Sequence, residues 1–402
     1  MVSTVTSYTD TRNRALTGQG YDGVVMVSVG GYYGTGVLLY DGQAVLTAAH
    51  LFSHGSSLTT VLFQTTAGSQ SLTTSDVAVL SSYDAANTNN DLAIVWLNGH
   101  APLAANRYDL YRSSDEIGQA MTIVGYGEPG TGTSGVLTSY AAAPIRQKAV
   151  NTFDADASDL KAKLGSIMSW TPKTGTQLVA DFDNGATAQD ALGRLIGKSG
   201  LGLGSSEGMI TPGDSGGPAF INGKVAGIAS YITSLSQNGV HPDIDNTSTN
   251  SSYGEIGAWQ RVSAYQQTLD QAIRAHYTDA PTTASQVKTS VTEGNTGMTN
   301  AYFLLQFTGM RTDPNTVLSV DYTTRDGTAT AGQDYVAVKG TLKIYPNESQ
   351  AVVAVEIIAD RVVEPNETFY LDLSNPVGGS FGAGVVTLTG MRTIVNDDGV
   401  VA

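Results

Sequence analysis

Short apolar runs rich in β-branched residues recur along this chain, each cut off by glycine, asparagine or aspartate. Gly23-Val24-Val25-Met26-Val27-Ser28-Val29 is the first, and Gly34-Thr35-Gly36-Val37-Leu38-Leu39 the next. Val45-Leu46-Thr47-Ala48-Ala49-His50, Asp91-Leu92-Ala93-Ile94-Val95-Trp96-Leu97 and Ala120-Met121-Thr122-Ile123-Val124-Gly125-Tyr126-Gly127 follow. Such residues suit a pleated surface, and the punctuating residues suit turns. The pattern predicts an all-β fold. At 402 residues there is room for two or three domains. No cysteine occurs, so each core must hold by packing alone.

Charge narrows the partners. The formal net charge is −15, whereas nucleic-acid binding needs a basic face, so nucleic acid is not an expected partner. Acid-rich loops instead attract Ca²⁺. No stretch is long and apolar enough to span a bilayer. The opening Met1-Val2-Ser3-Thr4-Val5-Thr6 lacks a basic-then-apolar signal pattern. Nothing in the sequence sets an oligomeric state.

Gly213-Asp214-Ser215-Gly216-Gly217-Pro218 carries the sharpest chemistry. A serine between glycines presents its hydroxyl, and the missing Cβ atoms let a carbonyl approach the main chain. The N–H groups of Gly213 and Ser215 then suit an oxyanion hole. A hydroxyl nucleophile needs a base. Of the five histidines, His50 closes an apolar strand, and Asp91 opens another. The order is His, Asp, Ser. The same serine also fits the G-x-S-x-G elbow of α/β-hydrolases, which requires a helix directly after it. Here Pro218 to Ala229 reads instead as two strands about an Asn222-Gly223 turn. His50 and His54 stand four apart, but no HExxH glutamate or third ligand accompanies them, so zinc is not expected.

The segments TAAH, NNDLAIVWL and GDSGGP, in this order, resemble the trypsin/chymotrypsin family. The resemblance implies a double β-barrel with a C-terminal helix. It implies a serine endopeptidase acting on protein or peptide, with no cofactor for catalysis. His50, Asp91 and Ser215 would be the triad, and Gly213 and Ser215 the oxyanion hole. Asp214 would be the structural acid that meets a new N-terminal amine after zymogen cleavage. This chain departs there: it has no Ile-Val-Gly-Gly start, and Arg12 and Arg14 are the nearest basic cut sites. Either the chain is a zymogen or Asp214 uses another partner. Met209 stands where trypsins carry the pocket acid. Ser230, Tyr231 and Ile232 align with the substrate-pairing strand, Ile232 narrowing the pocket neck opposite Gly257. Together these imply a small or aliphatic preference. Leu51 replaces the disulfide cysteine of animal members, which points to a bacterial type, secreted or at the cell surface. The alternative is a non-catalytic surface or adhesion protein with a protease-like fold.

Elsewhere the sequence gives coarser expectations. Residues 1–20 are polar and expected on the surface. A short helix is expected within 155–165. Residues 171–208 are rich in Gly and Asp; Asp181-Phe182-Asp183-Asn184-Gly185 hints at a cation loop but reads as surface turns. Trp259 to Tyr265 resembles the family's last strand, with Ser263 capping the helix that follows; His276, near its end, is read as structural. The reading divides the chain into a protease domain at 1–278, a linker at 279–285 and a second module at 286–402. Asp321 to Tyr335, Ile358-Ala359-Asp360, Glu364-Pro365-Asn366-Glu367 and Asn396-Asp397-Asp398 resemble the Calx-β domain. That resemblance implies an immunoglobulin-like β-sandwich holding Ca²⁺ on Glu293, Asp334, Asp360, Glu364, Asp397 and Asp398.

Overall fold

The computed structural model describes residues 2–137, 143–245 and 249–399. It divides into two compact units: Met1–Leu39 with Gln43–Gln266, and Tyr40–Gly42 with Gln267–Ala402.

In the first unit, six strands close a barrel. Their order is Val24–Val29, Tyr32–Leu38, Ala44–Thr47, Ala93–Leu97, Gly68–Val79 and Thr60–Thr65. Alternation sets which side chains face inward: Val61 and Phe63 of the last strand join Val25, Val27, Leu38, Val45 and Val95 in one core.

A seven-stranded sheet follows, ordered Gln147–Thr152, Ala120–Gly125, Pro218–Ile221, Lys224–Thr233, Ile256–Arg261, Gln177–Asp181 and Ala155–Asp156. Only Phe153 and Asp154 separate its two edge strands in sequence, so the sheet must curl back on itself. This is the double-barrel plan of the chymotrypsin fold, with Trp259, Phe153, Met209 and Ile221 in its core. The hairpin expected after the serine is present: Asn222 and Gly223 both take positive φ (50° and 75°), as a two-residue turn between twisted strands requires. The α/β-hydrolase elbow is excluded, because a strand and not a helix follows Ser215.

Three expectations need correction. The first residues are not all superficial: Val2, Ser3 and Thr4 are fully buried. Ser3–Thr4 forms a short strand between Gly208–Met209 and Gly130–Thr131, while Val2 plugs the second core. Asp181-Phe182-Asp183 does not lie in surface turns: all three residues are buried, and Asp181 ends the fully buried strand Gln177–Asp181. Ser263 does not cap its helix, which runs Val262–His276. Its hydroxyl donates to Glu116 Oε1 at 2.6 Å, and Arg261 Nε donates to Oε2 of the same buried carboxylate at 2.9 Å. The short helix is Ala157–Leu164, capped by Asp156, which accepts from Ser158 N.

The second unit is a β-sandwich. One sheet has five strands, ordered Ser290–Thr292, Thr387–Val395, Glu367–Val377, Leu318–Asp326 and Lys339–Ile344. The other pairs Met298–Gln306 with Gln350–Ile358. Phe303, Tyr335, Val355, Ile357 and Phe369 fill the space between them.

Candidate active site

His50 lies in a single 3₁₀ turn, Ala49–Phe52, directly after the barrel strand Ala44–Thr47. Asp91 precedes the neighbouring strand, just beyond Asn90, which takes a left-handed conformation (φ 55°). Asp91 Oδ2 accepts from His50 Nδ1 at 2.7 Å, and Oδ1 accepts from the His50 main-chain N–H at 2.8 Å. The carboxylate is 1% exposed and the imidazole 32%. One face of the ring is therefore fixed while the other stays open to a substrate.

A third donor reaches Asp91: Ser230 Oγ donates to Oδ2 at 2.6 Å. Gln260 Nε2 donates in turn to Ser230 Oγ (3.2 Å) and to Thr88 O (2.8 Å). Ser230 was expected on the substrate strand, yet its hydroxyl serves the acid. The signal was available: it is a polar residue closing the apolar run Val225 to Ala229, and buried polar groups need partners.

Main-chain bonds bring the Ser215 loop to this pair. Gly216 N donates to Ala229 O (2.8 Å), one residue before Ser230, and Thr35 N donates to Ser215 O (2.8 Å). Thr35 Oγ1 donates to Gly213 O (2.8 Å). At Gly216 (φ 83°) an added Cβ would lie 2.0 Å from Thr47 Oγ1 and 2.8 Å from Ala48 N. Glycine there lets the serine loop press against the end of the strand that leads into the His50 turn. No hydrogen bond joins Ser215 Oγ to His50 among the described residues; such contacts often tighten only when substrate binds.

The N–H groups around Ser215 divide cleanly. Those of Thr211, Asp214, Gly216 and Gly217 are all bonded. Those of Gly213 and Ser215 have no partner among the described residues. Two free donors beside a candidate nucleophile match what a developing oxyanion needs. Asp214 is 1% exposed. It accepts from Gly127 N (2.8 Å) and Thr211 N (2.9 Å), bonds that oppose the upward push of burial on its carboxyl.

Next to this centre, Met209 is fully buried, and its Sδ is 2.4 Å from where a Cβ on Gly257 would sit. The strand register sets Ile232 opposite Gly257, and Ile232 packs on the core that contains Met209. Tyr231 turns aside, its hydroxyl donating to Gln177 Oε1 (2.9 Å) and accepting from Trp170 Nε1 (3.1 Å).

In the second unit the acids fall into two groups. Glu293, Asp360 and Asp398 offer oxygens within 4.8 Å of one another, as do Asp334, Glu364 and Glu367. Asp397 joins neither group; its Oδ1 accepts from Gly294 N at 2.9 Å. Glu367 was not among the expected ligands, although it stands three residues after Glu364. Burial, with repulsion from Asp360, Glu364 and Asp398, pushes the Glu293 carboxyl up to about 7. One oxygen of Asp398, Oδ2, is buried with no hydrogen-bond partner. Crowded, part-buried carboxylates of this kind fit a hard dication.

The Trypsin family model matches residues 13–163, a span that includes His50 and Asp91 and stops before Ser215. The Calx-beta domain model matches residues 282–398. Among curated proteins, the chain is 45% identical to the Drosophila melanogaster sodium/calcium exchanger Calx over 69 residues, 17% of this chain and 7% of that protein. It is 30% identical to the Homo sapiens sodium/calcium exchanger 2 over 153 residues, 31% of this chain and 17% of that protein. The chain thus spans only a small part of these relatives. Among solved structures, the mouse serine protease neuropsin aligns with a TM-score of 0.45 and 18% identity, covering 65% of this chain and 98% of that one. The chain therefore carries, in order, a stretch that matches the Trypsin model, on the unit with the closed barrel, and a stretch that matches the Calx-beta domain model, on the sandwich.

Proposed function

We propose that the first unit is a serine endopeptidase. Ser215 attacks the scissile carbonyl, His50 takes its proton and returns it to the leaving amine, and Asp91 orients and charge-stabilises the imidazole. The Gly213 and Ser215 N–H groups receive the oxyanion. The observation that carries this reading is the Asp91 carboxylate, buried and holding His50 through two hydrogen bonds beside a serine loop with two unspent N–H donors.

Met209 and Ile232 support a small or aliphatic residue before the cut. In the second unit, Glu293, Asp360 and Asp398, and separately Asp334, Glu364 and Glu367, would hold Ca²⁺. The ion would supply charge neutralisation to loops that otherwise repel themselves. The likeness to sodium/calcium exchangers favours that metal. The absence of cysteine, with Leu51 where animal members of the resembled family keep a disulfide cysteine, favours a bacterial, exported protein.

A fluorophosphonate probe tests the enzyme reading. It should label the native chain at Ser215, and Ser215→Ala should abolish both labelling and peptide hydrolysis, on the order of a million-fold in turnover, with the circular dichroism unchanged. A native chain that takes no label and cleaves nothing would instead be a protease-like binding protein. A peptide library then reads the preference; strong selection of Arg or Lys would contradict the role given to Met209.

A further inference from the structure

The first unit holds a second constellation that peptide hydrolysis does not use. The strand Gln177–Asp181 ends on Asp181, Asp183 follows two residues later, and Asp190 caps the helix Ala191–Ile196. One carboxylate oxygen from each of these three lies within 4.8 Å of the others. The residues are 2%, 5% and 1% exposed. Glu207, 1% exposed, stands against them, its Oε1 accepting from Asp183 N at 2.8 Å. Among the described residues, no lysine, arginine or histidine forms an ion pair with any of these acids or with Asp154.

Much of this carboxylate charge is already matched by donors. Asp181 accepts from Leu192 N (2.7 Å), and Asp190 accepts from Gly193 N (2.7 Å) and Ser199 Oγ (2.6 Å). Asp183 is the exception: its Oδ1 is buried with no hydrogen-bond donor at all. Asp183 also lines a cavity of about 490 Å³, together with Asp154, Asn151, Thr152 and the loop from Gly197 to Leu203. That loop lies hard against the acids. At Gly202 (φ 79°) a Cβ would fall 1.9 Å from Glu207 Oε2 and 2.7 Å from Asp183 Cβ. Burial above all, and then mutual repulsion, holds the Asp154 and Asp183 carboxyls far above the usual carboxylate range.

We propose that Asp181, Asp183 and Asp190, backed by Asp154 and Glu207, form a Ca²⁺ site within the first unit. The donors are all oxygen, which disfavours zinc and copper. Ca²⁺ accepts irregular sets of six to eight oxygens, whereas Mg²⁺ demands a near-octahedral set and keeps its waters. The ion would tie the strand end, the capped helix and the glycine loop together. It also bears on the pocket: the register sets Ala180 opposite Gly257 and Asp181 opposite Ile256, so the site is one residue along the strand from the pocket wall. This inference does not depend on the peptidase reading.

Hydrogen exchange on the intact, unmutated chain tests it, in Ca²⁺ and then in chelator. Amides from 181 to 207 should exchange at least tenfold more slowly with Ca²⁺, and Mg²⁺ at equal concentration should protect less. Equilibrium dialysis with ⁴⁵Ca²⁺ supplies the count. A chain carrying Glu293→Gln and Glu364→Gln should still bind one Ca²⁺, and adding the near-isosteric Asp183→Asn should remove it. Equal exchange of 181–207 in Ca²⁺ and chelator would overturn the site, as would Ca²⁺ stoichiometry unmoved by Asp183→Asn. Equal protection by Mg²⁺ would overturn the choice of metal.

Discussion

Ser230→Ala would take from Asp91 one of the three hydrogen bonds it accepts, leaving the two from His50. A bond to a charged group contributes about 1.5–3 kcal/mol, so kcat should fall roughly ten- to hundredfold. Because Ser230 Oγ acts through Asp91, KM should hardly move. Steady-state kinetics checks this, and a raised KM with unchanged kcat would place Ser230 in the substrate site instead. Residues of this kind mark how far the sequence could be read. His50, Asp91 and Ser215 could be singled out because three short segments stand in one order along the chain, although the Ser215 segment alone fits a second motif. Ser230, Gln260 and Thr35 are not legible in this way, because their bonds run to residues 139, 30 and 178 positions away. The same holds for Asp183, whose neighbours in sequence look like a turn and whose neighbours in space are acids.

The helix Val262–His276 begins on a buried ion pair, Arg261 with Glu116, to which Ser263 adds its hydroxyl. Removing one partner of such a pair strands the other charge away from water. Glu116→Ala should therefore destabilise the first unit by about 3–5 kcal/mol. Arg261→Met combined with Glu116→Leu should recover most of that loss. Calorimetric midpoints of the two variants decide it. Elements with local signals were readable in advance: the Asn222-Gly223 hairpin, the short helix within 155–165 and the β-branched strands. The strand Ser3–Thr4 was not. Its residues are polar, and what holds it is pairing on both sides with segments about 125 and 205 positions away in the chain.

Over the whole chain, the units divide between Gln266 and Gln267, inside the last helix of the protease fold and ahead of the linker read at 279–285. Arg274, beyond that division, ion-pairs with Glu348 of the second unit at 2.8 Å. The two domains could be named from sequence because each carries several motifs in order. The acid groups of the sandwich give a prediction for the intact protein. Ca²⁺ at a hundred times its dissociation constant should stabilise the second unit by about 2.7 kcal/mol. Chelator should reverse the shift, and Asp360→Asn with Glu364→Gln should abolish it. Differential scanning calorimetry of the full chain measures this; a second-unit midpoint that ignores Ca²⁺ would leave those acids as solvated loop charges.

The six-stranded barrel of the first unit is closed, so none of its strands offers a free row of N–H and C=O groups. The sandwich is open. Its five-stranded sheet ends on Ser290–Thr292 and Lys339–Ile344, and its other sheet has only two strands. Unpaired borders of this sort are templates for another chain to extend. Strand addition under stress is therefore open to the sandwich in a way that it is not to that six-stranded barrel, and anything that loosens the sandwich loops would feed it.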